Sequence, residues 1–276
     1  MEMIMTRRLI AFLLSLSLLS VGGFAVDAPF ITVQSTTSTE SSGLFAYLLP
    51  LFTKASGIDV HVVAVGTGQA IKNASNGDGD VLLVHSKADE EKFVASGQGV
   101  KRYDLMYNDF VIVGPAADPA AISAGRDATA AFKKIADVKA PFVSRGDDSG
   151  THKAELKFWN EAGVDVKAAS GTWYREAGQG MGATLNMAAG MSAYALCDRA
   201  TWSAFNNRAD LKVAVEGDPR LRNPYGVILV SPEKHANVKA KEGQQFIDWL
   251  VSSEGQAAIA AFKINGEQQF FPIAKP

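Results

Sequence analysis

The sequence predicts an α/β fold in two lobes, on three observations. Short β-branched runs alternate with amphipathic helical segments along the chain after about residue 26, the rhythm of strands covered by helices. That alternation occurs twice, on either side of a long β-rich run, Tyr107–Val113, that leads into Gly114-Pro115 and a Pro-rich turn. Several strand-like runs end in glycine- or hydroxyl-rich turns, where open α/β sheets gather their ligands.

The elements follow in order. Phe30–Ser35 reads as a strand. Leu44, Leu48, Leu51 and Phe52 fall on one helix face, with Pro50 inside the pattern and Gly57 as its stop. Ile58–Val65 is the next strand, with a helix from about Gln69. Asp80–His85 is a third strand, followed by a charged helix over Asp89–Ala95. Tyr107–Val113 leaves the first lobe. Beyond it come a helix near Arg126–Ala136, a strand at Phe142–Ser144, a helix from about Ser149, and a strand at Gly171–Tyr174. A helix from about Gly182, a strand at Ser192–Leu196 and a helix from Asp198 continue the alternation. Leu211–Gly217 and Tyr225–Pro232 are the last strands, and the chain closes with helices, the first carrying Phe246, Trp249 and Leu250 on one face. The second lobe is then an insertion in the first: lobe I over 26–112 and 217–276, lobe II over 113–216.

Residues 1–25 stand apart. Arg7 and Arg8 precede an apolar run, and Gly23 and Ala25 sit at the small-x-small spacing of a signal-peptidase site. The run is short for a span of roughly 20 residues, so a cleaved secretory signal is expected rather than a retained anchor. The chain has 47% apolar and 20% charged residues, enough for a sizeable core. Its net charge of −2 disfavours nucleic-acid binding and leaves no overall field to attract an anion, so any anion site must be local. A lone cysteine, Cys197, forms no intrachain disulfide and reads as a small buried hydrophobe.

Four stretches carry chemistry. In Gln34–Gly43, seven of ten residues are Ser or Thr, at a strand-to-helix turn where hydroxyls and free N–H groups suit an anion; helix capping alone needs one or two of them. Val65–Ala70, "VGTGQA", repeats the pattern at the next strand end. "SRGDDSGTH", Ser144–His152, joins Arg145 to a helix start that Asp148 or Ser149 can cap, and Gly150 permits close backbone approach. Asp147 can pair with Arg145 and still hold its fork toward a ligand. A hydrolase built on Ser149 lacks a G-x-S-x-G elbow and has its nearest histidine, His152, on the same helix. Asp147, Asp148 and His152 lack metal-ligand spacing. "GQGMGATLNMA", Gly178–Ala188, is a further strand-to-helix turn, preceded by Tyr174 and Arg175, which either line the cleft or belong to the core.

Taken in order, "STTSTESSG", "VGTGQA", "DVLLVH", "YNDFVIVGP", "SRGDDSGTH" with "KAELKFW", "WYREAGQGMGATLNMA", "AYALCDRATW" and "NPYGVILVSP" closely resemble the tungstate-binding periplasmic proteins of ABC transporters. The resemblance runs from about Ile31 to the C-terminus. It implies a type II periplasmic-binding-protein fold, mixed sheets flanked by helices with a ligand cleft between the lobes. It implies that Thr36, Thr37 and Ser38 in lobe I, and Arg145 with Ser149, Gly150 and Thr151 in lobe II, hold the tungstate oxygens. Gly66, Thr67 and Gly68, and Gly180, Met181 and Gly182, are expected to add to the site, with Asp147 and Asp148 in support. The implied protein is a monomeric receptor without cofactor or catalysis. It delivers tungstate, and also molybdate, to a membrane permease and its ATPase. The local Arg-x-Asp-x-Ser-Gly-Thr pattern also resembles phosphate-binding transport proteins, so phosphate is the alternative ligand; those proteins use a carboxylate to accept the phosphate proton, and near the Thr/Ser run lobe I offers Glu40.

Overall fold

Strand β1 (Phe30–Thr36) lies at the centre of the first lobe because Ile31 and Val33 fill one side of it while Gln34, Ser35 and Thr36 are buried at its end. The computed structural model describes residues 28–274, so the expected leader at 1–25 lies outside the described residues. After α1 (Thr37–Ser41) and α2 (Leu44–Ser56), β2 (Asp59–Val65) pairs with β1 in parallel; after α3 (Thr67–Ser75), β3 (Val81–Val84) pairs on its other side, also in parallel. Three parallel strands with helical crossovers must end at one edge of the sheet. At that edge stand the Thr/Ser run, Gly66-Thr67-Gly68 and His85.

α4 (Lys87–Ala95) leads into β4 (Gly99–Pro115), a strand of 17 residues. The second lobe then contributes α5 (Ala128–Asp137), β5 (Phe142–Ser144), α6 (Gly150–Glu161), β6 (Tyr174–Glu176), α7 (Met181–Met191), β7 (Ala195–Asp198), α8 (Arg199–Ala204) and β8 (Leu211–Val215). The chain returns through β9 (Arg222–Val230), α9 (Ala240–Val251), α10 (Ser253–Ala261) and three short strands, β10 (Lys263–Ile264), β11 (Glu267–Gln268) and β12 (Phe271–Pro272). β4 pairs with β9 from Gly99 to Asp109, then with β7 and β8 from Phe110 onward. One strand therefore belongs to both lobes. The main sheet runs β12-β4-β9-β3-β1-β2, with β9 antiparallel to both neighbours, so the sheet is mixed rather than parallel throughout.

The cores divide the same way. One is built from Ile31 to Met106 and from Tyr225 to Phe270, with Ala200 of α8 added. Two others draw on residues between Phe110 and Leu221. In the second lobe, Phe132, Phe142, Phe158, Trp159 and Tyr174 form an aromatic cluster, with Trp159 edge-on to Phe132 at 4.4 Å. Each such ring contributes about 1.5–3 kcal/mol by burial. This cluster anchors α5 and α6 against β5, and so fixes the loop that follows β5.

Several sequence expectations shift in detail. Leu51 is 38% exposed, while Phe45 takes a place on the buried face of α2 beside Leu44, Leu48 and Phe52. The strand expected at Gly171–Tyr174 begins at Tyr174, because Gly171 (φ +77°) and the Thr172 hydroxyl, which donates to the Ala169 carbonyl, make a turn. Ser192 is the left-handed cap of α7, so β7 starts at Ala195. α7 starts at Met181, with Gly180 as its cap. β4 begins eight residues before Tyr107, since charged residues occupy its outer positions. The chain ends in short strands as well as helices, and β12 pairs with β4. No helix among the described residues is long and apolar enough to cross a membrane.

Candidate anion-binding site

The strand ends of lobe I meet the β5–α6 loop of lobe II. Thr36 caps α1: its Oγ1 accepts from the Thr39 N–H at 3.4 Å and lies 2.8 Å from Thr39 Oγ1 and 3.2 Å from Ser38 Oγ. Thr36, Ser38 and Thr39 are buried, and Thr37 is half-buried. Glu40 is exposed on the outside of α1.

Arg145 is 1% exposed. Its Nε donates to the Gln179 carbonyl at 2.9 Å. Its Nη2 donates to Asp147 Oδ2 at 2.5 Å and reaches Thr37 Oγ1, in the other lobe, at 3.3 Å. Nη1 is buried with no partner among the described residues. Asp147 also accepts the Ser149 N–H through Oδ1, so one carboxylate holds both the guanidinium and the helix start. The chain can turn here because Gly146 adopts φ +59° with Glu176 close against it, where a Cβ would lie 2.8 Å from the Glu176 Cβ.

Ser149 caps α6 by accepting the His152 N–H at 3.1 Å. The His152 ring accepts the Asp148 N–H through Nδ1 instead of facing the Ser149 hydroxyl, so the two do not form a nucleophile–base pair. The Gly150 N–H donates across the cleft to Thr67 Oγ1 at 2.8 Å. Thr151 Oγ1 is buried with no partner among the described residues. The first N–H groups of a helix lack internal partners, so α6 points a positive end at this spot. Gly180, at the start of α7, faces Thr37: a Cβ there would stand 3.6 Å from Thr37 Oγ1. Met181 is fully buried, and Gly182 has open space around it.

The lobes touch closely. Gly66 lies against the Asp147 carbonyl, where a Cβ would come within 2.9 Å, and the Thr201 hydroxyl reaches the Ser38 carbonyl at 3.4 Å. Lys153 on α6 donates to Asp89 on α4 at 2.7 Å across the mouth. Asp148 differs from its expected supporting place. It does not cap α6 or touch Arg145; its carboxylate is exposed, above Gly68 and 3.6 Å from Lys153.

Three buried titratable residues were not singled out from the sequence. His85, at the end of β3, lies 3.1 Å from Ser38 Oγ through Nε2 and 3.0 Å from Asn223 Oδ1 through Nδ1. The histidine follows a strand end in the motif "DVLLVH", which was the available sign. Asp198 caps α8 by accepting the Thr201 N–H through Oδ2, while Oδ1 is buried without a partner among the described residues; burial raises its pKa to about 6. Glu155 lies behind Arg145. Its Oε1 accepts from the Tyr174 hydroxyl at 2.8 Å and from Trp159 Nε1 at 3.1 Å. Tyr174 is thus a core residue that braces the loop, and Arg175 is exposed.

Burial pushes Glu155 up to about 7 from an ordinary value of 4.5. Because the folded protein holds a proton that the unfolded chain releases, this group supports stability below about pH 4.5 and loses that contribution as pH rises toward 7. Glu155→Gln keeps an acceptor for Tyr174 and Trp159 but does not titrate. Urea unfolding of both proteins from pH 4.5 to 7.5 is expected to show the variant gaining on the parent as pH rises. A pH-independent difference would mean that Glu155 is charged in the fold throughout.

A model of the PBP superfamily domain matches residues 27–254. The chain is 49% identical over 234 residues to the tungstate-binding protein TupA of Peptoclostridium acidaminophilum, covering 84% of this chain and 81% of that one. Among solved structures, it is similar to the tungstate-binding protein TupA from Desulfovibrio alaskensis G20, at 43% identity and a TM-score of 0.76, over 90% of this chain and 100% of that one. It is also similar to the tungstate ABC transporter structure from Geobacter sulfurreducens, at 48% identity and a TM-score of 0.77, over 84% of this chain and 98% of the other.

Proposed function

The chain belongs to the PBP superfamily, among its tungstate-binding proteins, and from that premise we propose that it is a receptor that captures tungstate, and also molybdate, between its lobes for an ABC transporter. The observation that carries this reading is the pair of buried donors without partners among the described residues, Arg145 Nη1 and Thr151 Oγ1, beside hydroxyls from the opposite lobe. A tetrahedral dianion offers four acceptor oxygens and no proton. Thr36, Thr37, Ser38, Ser149, Thr151, the helix start at Gly150, and Arg145 are the groups that would replace its water shell. Thr67 and the turns at Gly66–Gly68 and Gly180–Gly182 let the lobes come close enough for both sets to reach one ion. A single guanidinium leaves part of the charge uncompensated, so the N-terminus of α6 and the many neutral donors must disperse it.

Phosphate is the second reading, because near neutral pH it carries a proton that needs an acceptor. Glu40 is exposed and both oxygens of Asp147 are occupied, so Asp198, whose Oδ1 has no partner among the described residues, is the carboxylate that reading would require. The lobes divide within β4, near 112/113, and where the chain returns, near 216/217. The receptor acts in the periplasm as a monomer, after removal of the leader, and hands its ion to a permease with its ATPase.

Thermal unfolding with tungstate, molybdate, sulfate and phosphate tests this. Tungstate at 1,000 times its Kd adds about 4 kcal/mol, which for a chain of this size raises Tm by roughly 8–16 °C. No response to tungstate together with a clear response to phosphate would overturn the assignment.

A further inference from the structure

A buried chain of four side chains runs from the anion site into lobe I. Ser38 Oγ lies 3.1 Å from His85 Nε2, His85 Nδ1 lies 3.0 Å from Asn223 Oδ1, and Asn223 Nδ2 lies 2.8 Å from Asn108 Oδ1. All four residues are at most 4% exposed. Asn108 and Asn223 are direct cross-strand partners in the β4–β9 ladder. The His85 ring stacks on Tyr225 at 4.8 Å and packs against Gly150 of the other lobe, where a Cβ would stand 2.6 Å from Cε1. The ring therefore touches both halves of the clamp.

Burial keeps this ring neutral. The Arg145 charge acts on it from the loop after β5, Tyr225 covers it from β9, and Asp198, at the end of β7, acts on Arg145 and Tyr225. Burial, helped by the Arg145 charge and opposed by the Asn223 hydrogen bond, holds His85 down to about 4. A neutral imidazole has one N–H, and its neighbours decide which nitrogen carries it.

The ligand then sets the direction of the whole chain. An oxyanion without protons only accepts, so Ser38 must give its one hydrogen to it. Ser38 Oγ can then only accept from His85, which requires the proton on Nε2. Nδ1 becomes an acceptor, Asn223 must turn its amide N–H₂ toward it, and Asn108 must do the same toward the Asn223 carbonyl. In the opposite direction, Nδ1 donates to Asn223 Oδ1, Nε2 takes the Ser38 hydrogen, and Asn108 Nδ2 is left buried without a partner among the described residues. Reversing both amides replaces that orphan N–H₂ with a carbonyl, which is better tolerated than an N–H when buried without a partner. An amide has nearly the same shape both ways, so reversal needs no backbone movement.

We infer that Asn108, Asn223 and His85 form a relay that fixes the direction of the Ser38 hydrogen bond, and that in the anion-bound protein it stands with the proton on His85 Nε2, favouring oxyanions that carry no proton. His85 is a positioning residue in this scheme. The inference rests on the reading of Ser38 as a donor to the anion.

Nitrogen-15 NMR of the histidine-labelled full chain in saturating tungstate reads the tautomer directly. The expected spectrum has a pyrrole-type Nε2 and a pyridine-type Nδ1 for His85; the reverse pattern, or an imidazolium, overturns the relay. Asn223→Asp offers Nδ1 only an acceptor, so Nε2 can donate only after the ring takes a second proton. That variant is expected to bind tungstate about tenfold or more weakly at pH 8, with affinity recovering as pH falls. A pH-independent ratio to the parent protein counts against the relay. Ser38→Ala separates the two levels: unchanged tungstate affinity there means that the site reading itself fails, whereas weakened binding with the wrong His85 tautomer removes the relay alone.

Discussion

Arg145→Ala is expected to weaken tungstate binding between about 30-fold and a few thousand-fold. Removing one partner of a buried, hydrogen-bonded charge pair costs about 2–5 kcal/mol, and each 1.4 kcal/mol is tenfold. The side chain is 1% exposed, it alone among the groups of the proposed site carries a full positive charge, and its Nη1 has no other partner among the described residues. The variant also frees Asp147, whose side chain is 15% exposed, so water can take the place of the guanidinium. The apo protein is therefore expected to unfold cooperatively at a somewhat lower temperature. Arg145→Lys should fall between, since a point charge cannot hold Asp147, the Gln179 carbonyl and an anion together. Calorimetric titration beside thermal unfolding checks both parts, and an unchanged Kd for Arg145→Ala would move the site elsewhere.

The second large effect comes from a residue that donates no side chain at all. Gly66 has φ −65° and ψ 152°, a conformation open to alanine. A methyl there would stand 2.9 Å from the Asp147 carbonyl in the other lobe. It meets that backbone only when the lobes are together. Gly66→Ala is expected to leave apo stability within about 1 kcal/mol, since the entropy gain of Gly→Ala opposes a poorer helix cap. Tungstate affinity should drop about 5- to 150-fold, from an overpacking cost of about 1–3 kcal/mol. Stopped-flow kinetics should place most of the loss in dissociation, because the open lobes meet the ion unhindered. Equal affinity in the variant would show that the lobes do not come this close around the ligand.

Much of the proposed clamp was legible because its parts are local. A Thr/Ser run at a strand end, glycines at the next strand end, and Arg145 before a capped helix each announce themselves within ten residues. What converges on them does not. His85 is one histidine at the end of a strand, and its significance depends on Asn223, 138 residues away, and on the β4–β9 register that sets Asn223 opposite Asn108. Glu155 sits within a helix like any surface glutamate; it is buried because Tyr174 comes to it from β6, beside Trp159 one turn along its own helix. Leu51 fits the apolar period of α2 yet faces outward, since periodicity gives a face but not its width. The first half of β4 carries Lys101, Arg102 and Asp104 without a long hydrophobic run, and its strand character depends on β9.

The shared strand also orders events in time. The cores of lobe II draw only on residues from Phe110 to Leu221, a continuous stretch. The core of lobe I needs Ile31–Met106 and Tyr225–Phe270 together, and β9 supplies the strand between β3 and β4. A chain growing from its N-terminus can complete lobe II while β3 and β4 still present unpaired edges, the form most open to wrong pairing. Asn223, the hydrogen-bond partner of His85, arrives on the same late strand. The half that begins first is finished last, and the capacity to hold an anion comes into being only once β9 is seated.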